Sequence, residues 1–324
     1  MMTVNLIIGA GQLGSRHLQG LLRYPVPQKI FVLDPSWESL EAAKQRAQEI
    51  KHQHQIYFVN IWQNLPSQFD LVIIATNSDV REQVVFQLVE NHKIGYLVLE
   101  KVLFQEADAY YRVGEILNKY QIPAWVNHPR RMFESYKEVK SLFSPHSQKV
   151  MQVVGGNWGL GCNALHYLDL FTYLTDSRLK TLETDLIDNE LFSGKRKGFI
   201  EFTGTIRGTL IDNSTFQITS FKGEANPNTV TIFDSDTRVV IQESGTPQVI
   251  CLKRASSFTS DLSPFKMEYQ SSLTTKLAFE LFEKGECSLP EYESASKTHQ
   301  IFIREMLKKF NEISSVDHLN LPIT

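Results

Sequence analysis

Residues 4–14 read Val-Asn-Leu-Ile-Ile-Gly-Ala-Gly-Gln-Leu-Gly. An apolar run at residues 6–8 enters a G-x-G-x-x-G built from Gly9, Gly11 and Gly14, and a helical stretch over residues 15–23 leaves it. Strand, tight turn and helix in this order predict a βα unit whose turn receives the pyrophosphate of a dinucleotide. Gly9 permits the sharp turn, Gly11 has no side chain to block the phosphates, and Gly14 lets the helix lie close to the strand. Gln12 and Leu13 complete the cofactor-binding turn, and the helix N-terminus after it offers free N–H groups and the positive end of its dipole to the phosphates.

The next strand supports this reading. Lys-Ile-Phe-Val-Leu-Asp at residues 29–34 ends on Asp34, 20 positions after Gly14. An acid there accepts hydrogen bonds from the adenosine ribose hydroxyls and repels a 2′-phosphate. Pro35-Ser36 follows with no arginine in the turn to hold that phosphate. The expected cofactor is therefore NAD, with NADP as the alternative. The plainer reading is a βα turn punctuated by glycine, with Asp34 capping the following helix.

The chain has 324 residues, enough for two domains, and 42% hydrophobic residues to fill two cores. A formal net charge of −3 argues against a polyanionic partner, so no nucleic-acid role is expected. No apolar run is long enough to span a bilayer. The first strand begins within a few residues of Met1, so no leader is expected. The three cysteines, Cys162, Cys251 and Cys287, form no CxxC, and a reducing cytoplasm is the expected location.

Strand and helix alternate through the first third. Helices are expected over 37–50 (Ser36 as N-cap), 79–91 and 107–120, and strands over 55–59, 70–76, 95–100 and 124–127. The run 71–75 is apolar on both faces, as in a central parallel strand. Repeated βα units predict a doubly wound parallel sheet of the Rossmann kind, with ligands beyond the carboxyl ends of its strands. Gly9, Asp34, Thr76, Asn77, Glu100, Lys101 and Asn127 occupy such ends. The texture changes near residue 128. Helices are expected over 131–143 and 163–174, an antiparallel meander with one wet face over about 177–252, and helices over 273–284 and 294–310. The expected fold is α/β. Residues 1–123 form a dinucleotide-binding Rossmann domain. Residues 124–324 form an α+β domain with a large, mostly antiparallel open sheet.

Four stretches in order resemble the Gfo/Idh/MocA family, the glucose–fructose oxidoreductase and inositol dehydrogenase group, over essentially the whole chain. They are the turn Gly9 to Gly14; Ala75-Thr76-Asn77, similar to the family's A-T-P; Glu100-Lys101-Val102, similar to its E-K-P; and His166-Tyr-Leu-Asp169, similar to its H-x-x-D. Arg130-Arg131 resembles the R-R that opens the family's second domain. The resemblance implies NAD(P)-dependent oxidation of a secondary alcohol, or the reverse reduction, on a sugar, aminosugar or nucleotide-linked sugar. It implies that Lys101 and His166 stand beside the nicotinamide and that Thr76, Asn77, Glu100 and Lys101 line the cofactor. It also implies a homodimer or homotetramer through the second domain's sheet. The chain departs from the pattern at Cys162, where the family has an acid, and at Ala164, Asn77 and Arg81. Val102 replaces the E-K-P proline, so a cis peptide is not expected there.

Hydride transfer at an alcohol carbon requires a base for the hydroxyl proton, and the reverse requires an acid. Lys101, at a strand mouth, suits either proton transfer or polarisation of the carbonyl; its plainer reading is an ion pair with Glu100 or a solvated surface amine. His166 titrates near neutrality without adjustment; its plainer reading is a core or capping histidine. With no carboxylate at Cys162, Lys101 and His166 are the catalytic candidates. Asn127, Arg131, Asn163, His166 and Asp169 are the substrate-binding candidates, with Arg130, Asn157 and Tyr167 nearby in sequence and Trp158 suited to stacking on a sugar. Cys162, His166 and Asp169 share a helical face, but no further Cys or His cluster completes a metal shell, so no metal is expected. Two rivals stand beside this reading. One is another reaction on the same scaffold, such as C=C or C=N reduction or redox-neutral turnover on a retained cofactor. The other is a non-catalytic, cofactor-sensing regulator, favoured by the loss of the acid at Cys162.

Overall fold

The computed structural model describes residues 2–253 and 260–324. The chain forms two compact units. The first comprises Met1–Phe104, Asp108–Pro129 and Glu268–Ala295; the second comprises Gln105–Ala107, Arg130–Met267 and Ser296–Thr324.

The first unit alternates β1 (Thr3–Ile8), α1 (Gln12–Leu21), β2 (Gln28–Leu33), α2 (Trp37–Gln48), β3 (Gln55–Val59), β4 (Gln68–Ile74), α3 (Arg81–Asn91), β5 (Lys93–Glu100), α4 (Ala109–Lys119) and β6 (Ala124–Asn127). All six strands are parallel in the order β3-β2-β1-β4-β5-β6. The order reverses between β1 and β4, which sets a ligand crevice outside their carboxyl ends. The apolar runs of β1, β4 and β5 are buried on both faces: Leu6, Ile7, Leu71, Val72, Ile73, Ile74, Leu97, Val98 and Leu99 are fully inaccessible. Ser36 caps α2 as expected, its hydroxyl oxygen accepting the Ser39 N–H at 3.2 Å.

The expected division before Ala124 falls one strand early. Residues 124–127 pair with β5 as the sheet's last strand, and the unit extends to Pro129.

In the second unit a short 3-10 turn (Pro129–Met132) precedes α5 (Glu134–Leu142), dividing the helix expected over 131–143. There follow β7 (Val150–Gly156), α6 (Leu160–Thr175), β8 (Leu179–Ile187), β9 (Phe192–Ser193), β10 (Ile200–Glu201), β11 (Gly204–Leu210), β12 (Thr215–Phe221), β13 (Asn226–Phe233), β14 (Thr237–Gln242), β15 (Gln248–Lys253) and β16 (Ser260–Pro264). β9 and β10 form a small ribbon. The other strands form one sheet in the order β16-β15-β14-β13-β7-β12-β11-β8. It is not a simple meander: β7 and β12 pair in parallel at the centre, and every other pair is antiparallel. The run expected as one strand over 199–206 breaks between β10 and β11, where Gly204 takes φ +100° against the Leu186 carbonyl.

The chain then returns to the first unit. α7 (Gln270–Lys284) packs on α1, and α8 (Tyr292–Ser314) leads from the first unit back into the second. Among the described residues no helix is long and apolar enough to cross a membrane.

Candidate dinucleotide site

The strand exits of the first unit are tied edge to edge. The Gly9 N–H donates to Leu33 O at 2.8 Å, Asp34 N–H to Val59 O at 3.2 Å, and Ala75 N–H to Ile8 O at 2.8 Å. Gly9 has φ +97°, and a Cβ there would lie 2.9 Å from the carbonyl carbon of Ala75. A Cβ on Gly14 would lie 1.7 Å from Gly9 O, so the α1 backbone rests directly on the turn. Gly11 is the reverse case: it is exposed, and a Cβ would meet nothing within 4 Å. No side chain caps α1, whose first helical residues are Gln12 and Leu13. An open cradle at Gly11 over an uncapped helix start fits a pyrophosphate.

Asp34 is partly exposed and binds both flanks of this cradle. Its Oδ2 accepts the Ala10 N–H at 2.7 Å and its Oδ1 accepts the Ser36 N–H at 2.8 Å. A carboxylate accepts about four hydrogen bonds, so capacity remains for ribose hydroxyls. After β4, the Thr76 side-chain oxygen is buried with no hydrogen-bond partner among the described residues, and Asn77 is partly exposed. Lys101 is partly exposed at the end of β5. The Lys101–Val102 peptide is cis, contrary to the expectation from valine at that position. Arg81, fully buried on α3, clamps the two exits together: its guanidinium donates to the Thr76 and Val102 carbonyls and to Leu103 O at 3.0 Å.

Two expected contacts are turned inward. Glu100, expected on the cofactor, is 3% exposed. Its Oε1 lies 2.9 Å from His17 Nε2 and accepts from Asn127 Nδ2 at 2.6 Å. Burial pushes its carboxyl up, but the bond and charge of His17, the Asn127 amide and the Arg81 charge outweigh it and hold it below the usual range. Asn127, expected on the substrate, is buried too, and its second amide hydrogen goes to Gln270 Oε1 at 3.1 Å. Glu100 and Asn127 are direct register partners across β5 and β6, so their side chains share one face.

In the second unit, His166 is half-buried on α6, and Asn163 donates to Trp158 O at 2.8 Å. Arg131 and Asp169, both expected on the substrate, bind each other instead: Nε to Oδ2 at 2.6 Å and Nη2 to Oδ1 at 2.7 Å. Arg130 makes a two-pronged contact with Glu243, both bonds at 2.9 Å, and lies 4.4 Å from the Tyr167 ring centre. Tyr136 and Tyr167 add donors to Glu243 at 2.6 and 2.9 Å. Burial raises the Glu243 carboxyl, yet Arg130 and these hydroxyls bring it below the ordinary range. Trp158 donates its indole N–H to Thr219 O at 3.0 Å and meets Tyr167 edge-on. A carboxylate does stand at the start of α6, but it comes from β10: Glu201 accepts the N–H groups of Gly161 at 2.8 Å and Cys162 at 3.1 Å. Among the described residues no group of three or more His, Cys, Asp or Glu is placed to hold a metal.

With this geometry the chain meets known proteins at two levels. Residues 5–128 match the model of the Gfo/Idh/MocA oxidoreductase family, NAD-binding Rossmann fold. The matched stretch is the Rossmann domain, from β1 to β6. The Rossmann domain is thus the NAD-binding domain of an oxidoreductase family. No curated protein sequence matches the chain. Among solved structures, UDP-N-acetylglucosamine 3-dehydrogenase GnnA from Acidithiobacillus ferrooxidans superposes with a TM-score of 0.71 at 12% identity, covering 94% of this chain and 96% of that one. Scyllo-inositol dehydrogenase from Lactobacillus casei, solved with NAD(H) and scyllo-inositol, gives 0.70 at 13%, covering 96% and 98%. The Gal80p super-repressor mutant from Saccharomyces cerevisiae gives 0.73 at 13%, covering 98% and 99%. At these identities the likeness is one of fold.

Sequence reasoning passed over His17, Thr274, Gln270, Glu201 and Glu243. His17 stood three residues after Gly14 in the motif helix and was legible as a buried polar group on an apolar face. Each of the other four also binds a partner far along the chain, and no local pattern marks them.

Proposed function

We propose that the protein is an NAD-dependent oxidoreductase acting between a secondary alcohol and a ketone on a sugar, aminosugar or nucleotide-linked sugar. The observation that carries this reading is the open cradle at Gly11, over an uncapped α1 and flanked by the Asp34 carboxylate. Gly9, Gly11, Gln12, Leu13 and Gly14 would hold the pyrophosphate, Asp34 the ribose, and Thr76 and Asn77 the part near the β4 exit. When bound, NAD accepts or donates the hydride. Lys101 and His166 are the proposed proton carriers. Lys101, leaving β5 at the ligand edge of the sheet, stabilises negative charge on the substrate oxygen or takes its proton; His166 carries the proton onward at neutral pH. Two carbohydrate-type dehydrogenases among the similar folds support the substrate class. The open sheet of the second unit is the proposed dimer or tetramer surface. Three free thiols support a reducing, cytoplasmic setting.

The test begins with fluorescence titration of cofactor-stripped protein with NADH and with NADPH. Tight NADH and weak NADPH are expected from Asp34; equal affinities overturn the cofactor preference. A screen of sugars and nucleotide sugars with NAD follows. Lys101→Ala and His166→Ala are each expected to lower turnover at least about a hundredfold, the usual scale of a lost acid–base group, with NADH affinity within about twofold of the parent. Near-normal turnover in either variant removes that residue from the mechanism.

A second reading, a cofactor-binding regulator without turnover, is favoured by two observations. Asp169 is bound to Arg131, and no acidic side chain stands at position 162. The Gal80p regulators share the fold. NADH binding with no turnover on any sugar in the screen would support it.

A further inference from the structure

Around Glu100, the residue before Lys101, runs a closed ring of buried and half-buried polar groups that neither the glycine motif nor the proton chemistry uses. Glu100 Oε1 meets His17 Nε2 at 2.9 Å. His17 Nδ1 meets Thr274 Oγ1 at 2.8 Å. Thr274 Oγ1 lies 2.9 Å from Gln270 O and accepts from Gln270 Nε2 at 3.2 Å. Gln270 Oε1 accepts from Asn127 at 3.1 Å, and Asn127 returns to Glu100 at 2.6 Å. His17 and Thr274 are fully buried, and Glu100 and Asn127 nearly so. Four elements, α1, β5, β6 and α7, therefore meet at one carboxylate, the residue immediately before Lys101.

Such a ring costs stability wherever it is incomplete, because an unpaired polar group away from water is expensive. An apolar core at these positions would hold the helices together as well. What the ring adds is direction. With Glu100 ionised, the shared proton sits on His17 Nε2, so the imidazole can satisfy the carboxylate in one orientation only, and Thr274 fixes that orientation at the other nitrogen. On the far side of the exit, Arg81 holds the carbonyls of Val102 and Leu103. Lys101 is thus gripped at the residue before it and the two after it.

We propose that His17 is a positioning residue for Lys101, acting through Glu100, with Thr274 on α7 as its anchor. The proposal rests on the reading of Lys101 as a proton carrier. Its consequence is geometric: loosening His17 frees the Glu100 side chain, and with it the strand end that carries Lys101. The groups facing Glu100 are His17 from α1, Arg81 from α3 and the neutral Asn127 from β6.

The test reads Lys101 directly and needs no substrate. Full-length protein is reductively methylated with 13C-formaldehyde, and the Lys101 resonance is assigned by its absence in Lys101→Arg. Its titration is followed by NMR in the parent, Thr274→Val, Thr274→Ser and His17→Ala. In Thr274→Val, which keeps the packing shape, the midpoint is expected to move from the parent value as Lys101 changes its surroundings, with NADH affinity within about twofold of the parent. Thr274→Ser, which restores the hydroxyl, should return the midpoint to the parent value. His17→Ala, where it folds, should shift it further. An unchanged midpoint in Thr274→Val, or an equal shift in the valine and serine variants, overturns the proposal. Absence of turnover on every sugar tried would sink the oxidoreductase reading and leave this result standing.

Discussion

Asp34 shows how one side chain serves both fold and ligand. Each of its oxygens already accepts a backbone N–H, from Ala10 and from Ser36, before any ribose arrives. Asp34→Asn is nearly isosteric but turns one acceptor into an NH2 that must face a backbone donor. The unmatched donor is partly exposed, so a stability loss of about 1 kcal/mol is expected in urea unfolding, at the low end for an unsatisfied group. The same change removes the charge that repels a 2′-phosphate. NADH affinity should weaken roughly tenfold, or about 1.4 kcal/mol, while NADPH affinity holds or improves. If Asp34→Asn leaves the ratio of the two affinities unchanged, the carboxylate serves the turn alone. Arg131 and Asp169 illustrate the opposite outcome. Both are residue types that hold sugars or phosphates, and both are bound to each other. Residue chemistry made them candidates; the three-dimensional structure shows that they pair with each other.

At the scale of the element, the glycine turn makes a sharper test than any single contact, because its glycines do different things. A Cβ on Gly14 collides with Gly9 O at 1.7 Å, so Gly14→Ala must displace α1 from β1. Destabilisation of about 2 kcal/mol or more is expected, as for overpacking against a rigid backbone, together with lost NADH binding. A Cβ on Gly11 meets open space and α1 already runs on from it. Gly11→Ala should therefore melt within about 2 °C of the parent, the scale of a surface change of a few tenths of a kcal/mol, yet lose NADH affinity. If both variants melt like the parent, the close seating of α1 on the turn is wrong. If Gly11→Ala binds NADH normally, the phosphates do not pass there. This turn was legible in the sequence because its physics is local: apolar run, glycine spacing and acid fall within residues 6–34. The β4 and β5 exits were legible for the same reason. In the second unit the mostly antiparallel sheet was legible, but its strand order was not, because that order depends on partners far apart. Nothing in residues 150–156 or 215–221 says that β7 and β12 run parallel. Nothing near Cys162 says that Glu201 will close the α6 N-terminus. Nothing in α7 says that it returns to α1 carrying Thr274 to His17.

Across the whole molecule, each unit keeps one buried glutamate ionised, by different means. Glu100 relies on His17, Asn127 and the Arg81 charge; Glu243 relies on Arg130, Tyr136 and Tyr167. Both carboxyls lie below their ordinary range in the folded protein, so the unfolded chain binds the proton more readily. The stability they contribute is fully present above the usual glutamate range, near pH 4.3 in unfolded chains, and is lost as pH falls through it towards the lowered folded values. Acid should therefore weaken both units rather than one. Arg130→Met separates them. It leaves Glu243 with the two tyrosine hydroxyls but without its cation, and breaking a buried pair in this way costs about 3 kcal/mol. The first unit contains no part of that network. Hydrogen exchange followed by mass spectrometry should show faster exchange in β12, β13 and β14 of Arg130→Met at pH 7. β1, β4 and β5 should keep their protection, and NADH affinity should stay within about twofold of the parent. At pH 4 the difference between variant and parent should shrink, because protonation of Glu243 removes the penalty of its unpaired charge. Equal loss of protection in both units at pH 7 would mean that the chain unfolds as one cooperative body, with the Glu243 cluster serving the nucleotide site as much as its own sheet.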